Sequence, residues 1–305
     1  MLYKQIEQNK RNSRIIMGLF TVLLLVLSVF LGMCFTYYAG IIFFIIGIIY
    51  LVYVYFDATR HLMKVTGAQK VTKESNPRIY ELVEELCLAG GLPMPAIYIT
   101  PDRDPNAFAT GRDPEHASLA ITQGLLEIMN EKEVQGVIGH ELAHIRNYDT
   151  RMTVIASAMV NLIFYTGVGI LLVGWAIVDQ KGKGWLDLII KFFGLLLIMI
   201  GAAISIVGIP LAKLLMLLMS RQREYLADVG SVDLTREPSG LISALAKLEK
   251  LEETGQIDDT DSNNMMLNNL YFNFPSAKNW YSRLFCDHPP LDKRIERLKD
   301  SDKIG

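Results

Sequence analysis

His140-Glu141-Leu142-Ala143-His144 sets two imidazoles four residues apart, which on a helix means one face and one turn of separation. Both rings can then reach a single cation. Zinc accepts neutral imidazole nitrogens and, in catalytic sites, keeps one coordination position for water. Glu141 follows the first histidine, where it can take a proton from that water without binding the metal. The chain holds five histidines (His61, His116, His140, His144, His288), and two of them fall in this pentad. A surface helix with two solvated histidines would read the same, so the surroundings decide.

Those surroundings predict a helix over residues 130–151. Asn130 suits the N-cap and Glu133 the reciprocal position of a capping box. Val134, Val137, Ile138, Leu142 and Ile145 recur at helical spacing and define a buried stripe flanked by the histidines. Glu131, Lys132, Glu133, Arg146, Asp149 and Arg151 put this helix beside water and not within lipid. Asn147 and Asp149 read as the end of the motif helix and not as metal ligands.

Two histidines need a third protein ligand. Arg221-Gln222-Arg223-Glu224-Tyr225-Leu226-Ala227-Asp228 offers Glu224 and Asp228 on one helical face. Glu224 is the natural third ligand, giving a His2Glu set with an open position for water. Asp228, one turn on, can accept the second ring N–H of a ligand histidine, His140 by preference, and so fix its tautomer. A solvated face of Arg, Glu and Asp would show the same spacing.

The elements that must position these residues are largely membrane-like. Ile15 to Phe56 carries no charge, about twice the length that one bilayer crossing requires. Met152 to Val178 and Phe192 to Ala212 are also free of charge. Four spanning helices in two hairpins result, the first bending at Thr36–Gly40 and the second at Asp179–Gly184. The first run is too long for a cleaved signal peptide and leads directly into another. Lysines and arginines flank it at Lys4, Lys10, Arg11, Arg14 and again at Arg60, Lys64, Lys70, Lys73, with none in the hairpin loop. Both termini and residues 57–151 are therefore expected in the cytosol. Met152 starts roughly 12 Å of helix beyond His144, so the second hairpin leaves and returns beside the histidines. The net charge of −2 leaves no basic field for nucleic acid. Cys34, Cys87 and Cys286 have no metal or disulfide spacing.

The expected order is a basic N-terminus (1–14), a first hairpin (15–56), a cytosolic metalloprotease part (57–151), a second hairpin (152–219) and a cytosolic completion (220–305). The chain is mainly α with a small β-sheet. Asn76-Pro77 opens a helix that Gly90-Gly91 ends. Ala96–Thr100, Asn106–Thr110 and Ala117–Thr122 read as strands, with a turn at Gly111–Pro114. Residues 254–280 read as a loop that could cover the cleft.

His140 to Asp149, followed after a hydrophobic hairpin by Ser220 to Asp228, resembles the HtpX membrane zinc metalloproteases, bacterial relatives of the CAAX prenyl endopeptidase. Lys4–Arg11, Asn106-Ala107-Phe108-Ala109-Thr110-Gly111 and Asp287-His288-Pro289-Pro290 extend the likeness to nearly the whole chain. The resemblance implies a zincin α+β catalytic domain of gluzincin type. It further implies one zinc ion per chain and a multi-pass protein of the bacterial cytoplasmic membrane. It implies hydrolysis of peptide bonds in misfolded or damaged membrane proteins under stress, by glutamate-assisted attack of zinc-bound water. Implied partners are membrane-protein and unfolded polypeptide substrates, the lipid bilayer and other quality-control proteases. In such proteins the segment holding Asn106, Ala107, Phe108 and Ala109 borders the active site. It is expected here as an exposed edge that holds substrate backbone extended, although a plain edge strand would look the same. His288 is expected either as a structural histidine or as a donor to the developing oxyanion.

Two other classes weigh less. A transporter needs ionisable groups inside its spans, and here Lys191 and Lys213 lie only near the ends of the last one. An assembly factor with a structural zinc has no use for a base at position 141.

Overall fold

Long uncharged runs satisfy their backbone polar groups within one helix, the only open-ended solution in lipid. In the computed structural model, which describes residues 2–34, 36–254 and 289–302, this gives α1 (Leu2–Cys34) and α2 (Tyr37–Val65). There follow β1 (Gln69–Lys70), α3 (Pro77–Gly90), β2 (Ala96–Thr100), β3 (Ala107–Gly111), β4 (Ala117–Thr122), α4 (Gln123–Ile128) and α5 (Glu131–Arg146). Then come α6 (Asp149–Val178), α7 (Trp185–Thr235), α8 (Pro238–Thr254) and α9 (Leu291–Asp302). His288 and all of the expected loop beyond Thr254 lie outside the described residues.

Four stretches are long and apolar enough to cross a membrane: Ile6–Met33, Tyr37–Val65, Asn161–Val178 and Trp185–Ile206. Their large side chains, among them Leu19, Val22, Ile45, Ile49, Leu172 and Phe192, are largely exposed. Apolar belts of that extent are tolerated in lipid and not in water. The first bend is tighter than expected. Tyr37–Gly40 are helical, because the Thr36 side chain accepts a hydrogen bond from the Ala39 N–H and caps α2 at its first turn.

The chain forms two compact units, Met1–Ile155 with Met219–Gly305, and Ala156–Leu218. The first unit carries a four-stranded mixed sheet in the order β1-β2-β4-β3. β2 runs parallel to β4 and β3 antiparallel to it, with Ala107 opposite Ile121 and Ala109 opposite Leu119. Period-two alternation sends Ile97, Ala107, Ala109, Leu119 and Ile121 into a core shared with α3, α5 and α8. Tyr98, Phe108 and Ala120 face the other way, onto Leu62 and Met63 at the end of α2. Covered on both faces, β3 has all five residues buried. It is an edge in the pairing order, but its side chains are not exposed, which corrects the sequence expectation. The strand also starts one residue later: the Asn106 N–H donates to the Thr122 hydroxyl and not to a strand carbonyl.

The predicted caps of α3 form as read: Asn76 accepts from the Ile79 N–H, and Gly91 ends the helix in the left-handed region. The capping box of α5 forms too, with Asn130 accepting the Glu133 N–H and Glu133 accepting the Asn130 N–H. Glu133 is buried and also takes bonds from Ser243 and Lys247, both at 2.6 Å, tying α5 to α8. Burial works to raise its carboxyl pKa, but Lys247, Ser243 and the Asn130 amide outweigh that and hold it below the ordinary value. A lowered folded pKa gives stability that is present above the unfolded pKa and lost as pH falls through the folded one. Glu133→Gln should cost about 1–2 kcal/mol at neutral pH. Thermal melts of parent and variant in detergent should converge as pH falls through the folded pKa of Glu133.

Candidate active site

The site is assembled from α5, the end of α7, the start of α6 and α9, all in the first unit. Helix α5 is held by its apolar stripe: Val137, Ile138 and Leu142 are fully buried, worth about 1.5–3 kcal/mol for each large side chain. Its remaining contact with α7 and α8 depends on missing side chains. A Cβ on Gly136 would lie 2.6 Å from the Leu241 nitrogen, and one on Gly230 would lie 2.6 Å from the Ala143 Cβ. Ser231 of α7 lies against Gly139, where a Cβ would stand 2.9 Å from its Oγ, and donates to the Gly136 carbonyl at 2.6 Å. This close approach brings Glu224 and Asp228 against the histidines.

His140 and His144 present their Nε2 atoms to each other at 3.1 Å. The Glu224 carboxylate lies 3.5 Å from each, through Oε2 to His140 and Oε1 to His144. The three residues form one group of metal-ligand type, with His140 and Glu224 buried and His144 half-buried. His140 Nδ1 lies 3.0 Å from Asp228 Oδ1. Asp228 is 2 % exposed. Burial works to raise its pKa, but the Arg294 guanidinium and the bond to His140 overcome it and hold the group below the ordinary carboxylate range. Arg294 Nη2, which only donates, also lies 3.3 Å from this nitrogen, but the shorter contact is to a carboxylate that only accepts when ionised, and it places the hydrogen on His140 Nδ1. His144 Nδ1 likewise lies 3.0 Å from Asp149 Oδ2 and donates to it.

With both Nδ1 atoms protonated, both Nε2 lone pairs and a carboxylate oxygen converge on one point. That convergence is repulsive unless a cation sits between them. Ligands about 2.0–2.1 Å from a tetrahedral zinc stand roughly 3.3–3.4 Å apart, close to the separations found. Charge points the same way. Glu141, Asp149, Glu224 and Asp228 are all buried, whereas Arg294 is the one buried guanidinium among the described residues. A divalent cation offsets most of that excess. The residues present therefore fit a metal ion.

Nothing in the sequence singles out Arg294, one of several cations on an amphipathic final helix. It is fully buried. Its Nε and Nη2 donate to the two Asp228 oxygens at 3.0 and 2.6 Å, a bidentate fork. Nη1 lies 3.7 Å from Glu224 Oε2. Burial works against its charge, but Asp228, Glu224 and Glu141 prevail and keep it protonated. The sequence marks Asp149 only as a helix terminus. It does open α6, and it also holds His144. Of the other expected residues, Glu141 is 4 % exposed beside His140, and Asn106 to Ala109 line the buried edge of the sheet against α5 and α2. A separate open cleft of about 1090 Å³ lies between the end of α2 and the sheet, and none of the metal-ligating group lines it.

The sequence profile of peptidase family M48 matches residues 73–302. The chain belongs to peptidase family M48. Within the family it is 38 % identical to a protease HtpX homolog of Lactobacillus helveticus, over 98 % of this chain and 99 % of that one. It is 40 % identical to a protease HtpX homolog of Streptococcus agalactiae serotype III, again over 98 % and 99 %. Its fold is similar to the crystal structure of S. mikatae Ste24p, with a TM-score of 0.52 and 16 % identity, covering 97 % of this chain and 67 % of that one. As an M48 peptidase of HtpX type with four apolar helices, the chain is a membrane metalloprotease.

Proposed function

We propose that this chain is a zinc endopeptidase that cleaves misfolded or damaged membrane proteins at the cytosolic face of the bacterial cytoplasmic membrane. The observation that carries the reading is the convergence of His140, His144 and Glu224, whose ligand atoms stand 3.1 to 3.5 Å apart. Two imidazoles and one carboxylate suit zinc better than the harder calcium or magnesium. Bound by these three residues, zinc supplies a Lewis acid for the carbonyl and brings the pKa of water towards about 7. Glu141 is the base that takes the water proton and the acid that returns it to the leaving amine. Asp228 and Asp149 fix the two imidazole tautomers, and Arg294 fixes Asp228.

Residues 57–151 and 220–305 form the cytosolic catalytic part in this reading, and the hairpins at 15–56 and 152–219 hold it at the bilayer. Lys and Arg flanking the first hairpin support that orientation. Substrate backbone pairs with β3 at Asn106 to Ala109, which gives broad sequence tolerance. β3 is last in the strand order of the described sheet, so the pairing would use the backbone groups on its side away from β4. Damaged membrane proteins and unfolded polypeptides are the substrates, and other quality-control proteases the working partners. The name of the relatives, protease HtpX homolog, supports the protease part of this reading.

The test is zinc content and cleavage in detergent. Purified parent protein should hold about one zinc per chain, as a His2Glu site requires. It should cleave an unfolded membrane-anchored reporter, lose that activity to a chelator and regain it with zinc. Glu224→Ala and His144→Ala should lose both the metal and the activity. A parent protein that binds zinc but cleaves no polypeptide overturns the endopeptidase reading. One that binds no zinc overturns the metal reading.

A further inference from the structure

We propose that Asn9, on the first helix, is a positioning residue for the metal site, acting on His144 through Asp149. The inference rests on the metal reading above. Asn9 is a polar side chain in the first turn of the apolar stretch Ile6–Met33, yet it is only 4 % exposed. Its Nδ2 donates twice, to Asp149 Oδ1 at 2.8 Å and to the Asn147 carbonyl at 2.9 Å. Both partners only accept, so the amide can have no other orientation. The other oxygen of the same Asp149 carboxylate receives the His144 Nδ1–H at 3.0 Å. One amide thus fixes the carboxylate that fixes the ligand.

The place where Asn9 acts is the join between the motif helix and the second hairpin. Asn147 ends α5, Asp149 begins α6, and Tyr148 between them has a φ of 61°, in the left-handed region that side chains disfavour. Asn9 brackets this residue by bonding on either side of it. The next residue, Lys10, sets its ammonium 4.3 Å from the centre of the Tyr148 ring, with Arg151 at 5.0 Å. The bracket and the cation–π contact are separate fixings of one strained join. Only the bracket reaches Asp149. Without it, Oδ1 loses its described donor in a buried setting, and the carboxylate can turn away from His144. Ligand basicity and ring orientation depend on such partners. An aspartate at position 9 would set a second carboxylate against Asp149, and two like charges at hydrogen-bond distance repel.

The experiment compares parent, Asn9→Ala, Asn9→Ser, Asn9→Asp, Lys10→Met and His144→Ala proteins in detergent. Zinc affinity is read by chelator competition, ligand geometry from the visible spectrum of the cobalt-loaded protein, and stability as Tm with and without zinc. Asn9→Ala, one step beyond the ligand's own partner, should weaken zinc up to about 10-fold, the lower end of the range for groups bonded to a ligand directly. It should also alter the cobalt spectrum and shrink the rise in Tm that zinc produces. Asn9→Ser keeps one donor and should fall between. Asn9→Asp should be at least as weak as Asn9→Ala, and kcat should fall more than KM changes. Lys10→Met, which removes the described contact with the Tyr148 ring, should keep the parent's zinc affinity. A merely structural Asn9 would lower Tm equally with and without zinc and leave affinity and spectrum unchanged, and that result overturns the proposal alone. His144→Ala with undiminished zinc affinity overturns the metal reading, and this proposal with it.

Discussion

Glu141→Gln should bind zinc as tightly as the parent and cleave polypeptide about 10²–10⁴-fold more slowly, the range for loss of a general base. Glutamine keeps the shape and the hydrogen-bonding carbonyl but cannot hold a proton in transit. The residue stands on the same turn of α5 as His140 and is 4 % exposed, so bulk water is a poor replacement. Zinc content, Tm and KM should stay near the parent values while kcat collapses, and self-cleavage during purification should stop. A Glu141→Gln protein with near-parent kcat would remove Glu141 from the chemistry and require another base.

The second large effect should come from Arg294, which touches no substrate in this reading. Arg294→Met keeps an unbranched apolar stem in place of the arginine's and removes one buried positive charge from between Asp228 and Glu224. Breaking a buried ion pair by deleting one partner typically costs about 3–5 kcal/mol, because the surviving carboxylates keep their desolvation penalty. Here those carboxylates also set the His140 tautomer and the third ligand, so zinc affinity should fall along with stability. Arg294→Lys keeps the charge but cannot make the two-pronged bond to Asp228, and it should be intermediate. The thermal midpoint and the rate of thermal inactivation measure the first effect, and chelator competition the second. A methionine variant as stable as the parent, with parent zinc affinity, would mean that α9 does not brace the site.

Much of this site is legible in the letters because its information is local. The i, i+4 spacings of His140 with His144 and of Glu224 with Asp228 need only a helix to place each pair on one face. The Asn130–Glu133 box and the Asn76, Pro77 and Gly91 caps are equally short-range. Uncharged runs announce spanning helices for a comparable reason, since each satisfies its own backbone bonds. The strands are legible as segments, but the burial of β3 is not. That burial depends on α2 and α5 covering its two faces, and neither contact is encoded near residues 107–111.

The order of residues specifies which atoms could bind a divalent cation, which carboxyl group could act as base, and that these groups belong to a membrane chain. What holds those atoms in register is set by folding. Arg294 reaches Asp228 from 66 residues away, and Asn9 reaches Asp149 across 140. Neither shares a helical period, a cap or a motif with its partner. An arginine on an amphipathic helix and an asparagine near the start of an apolar one look like ordinary solvated residues until packing removes the water around them. Desolvation makes each of these contacts strong, and it is a property of the folded neighbourhood with no signature in spacing along the chain.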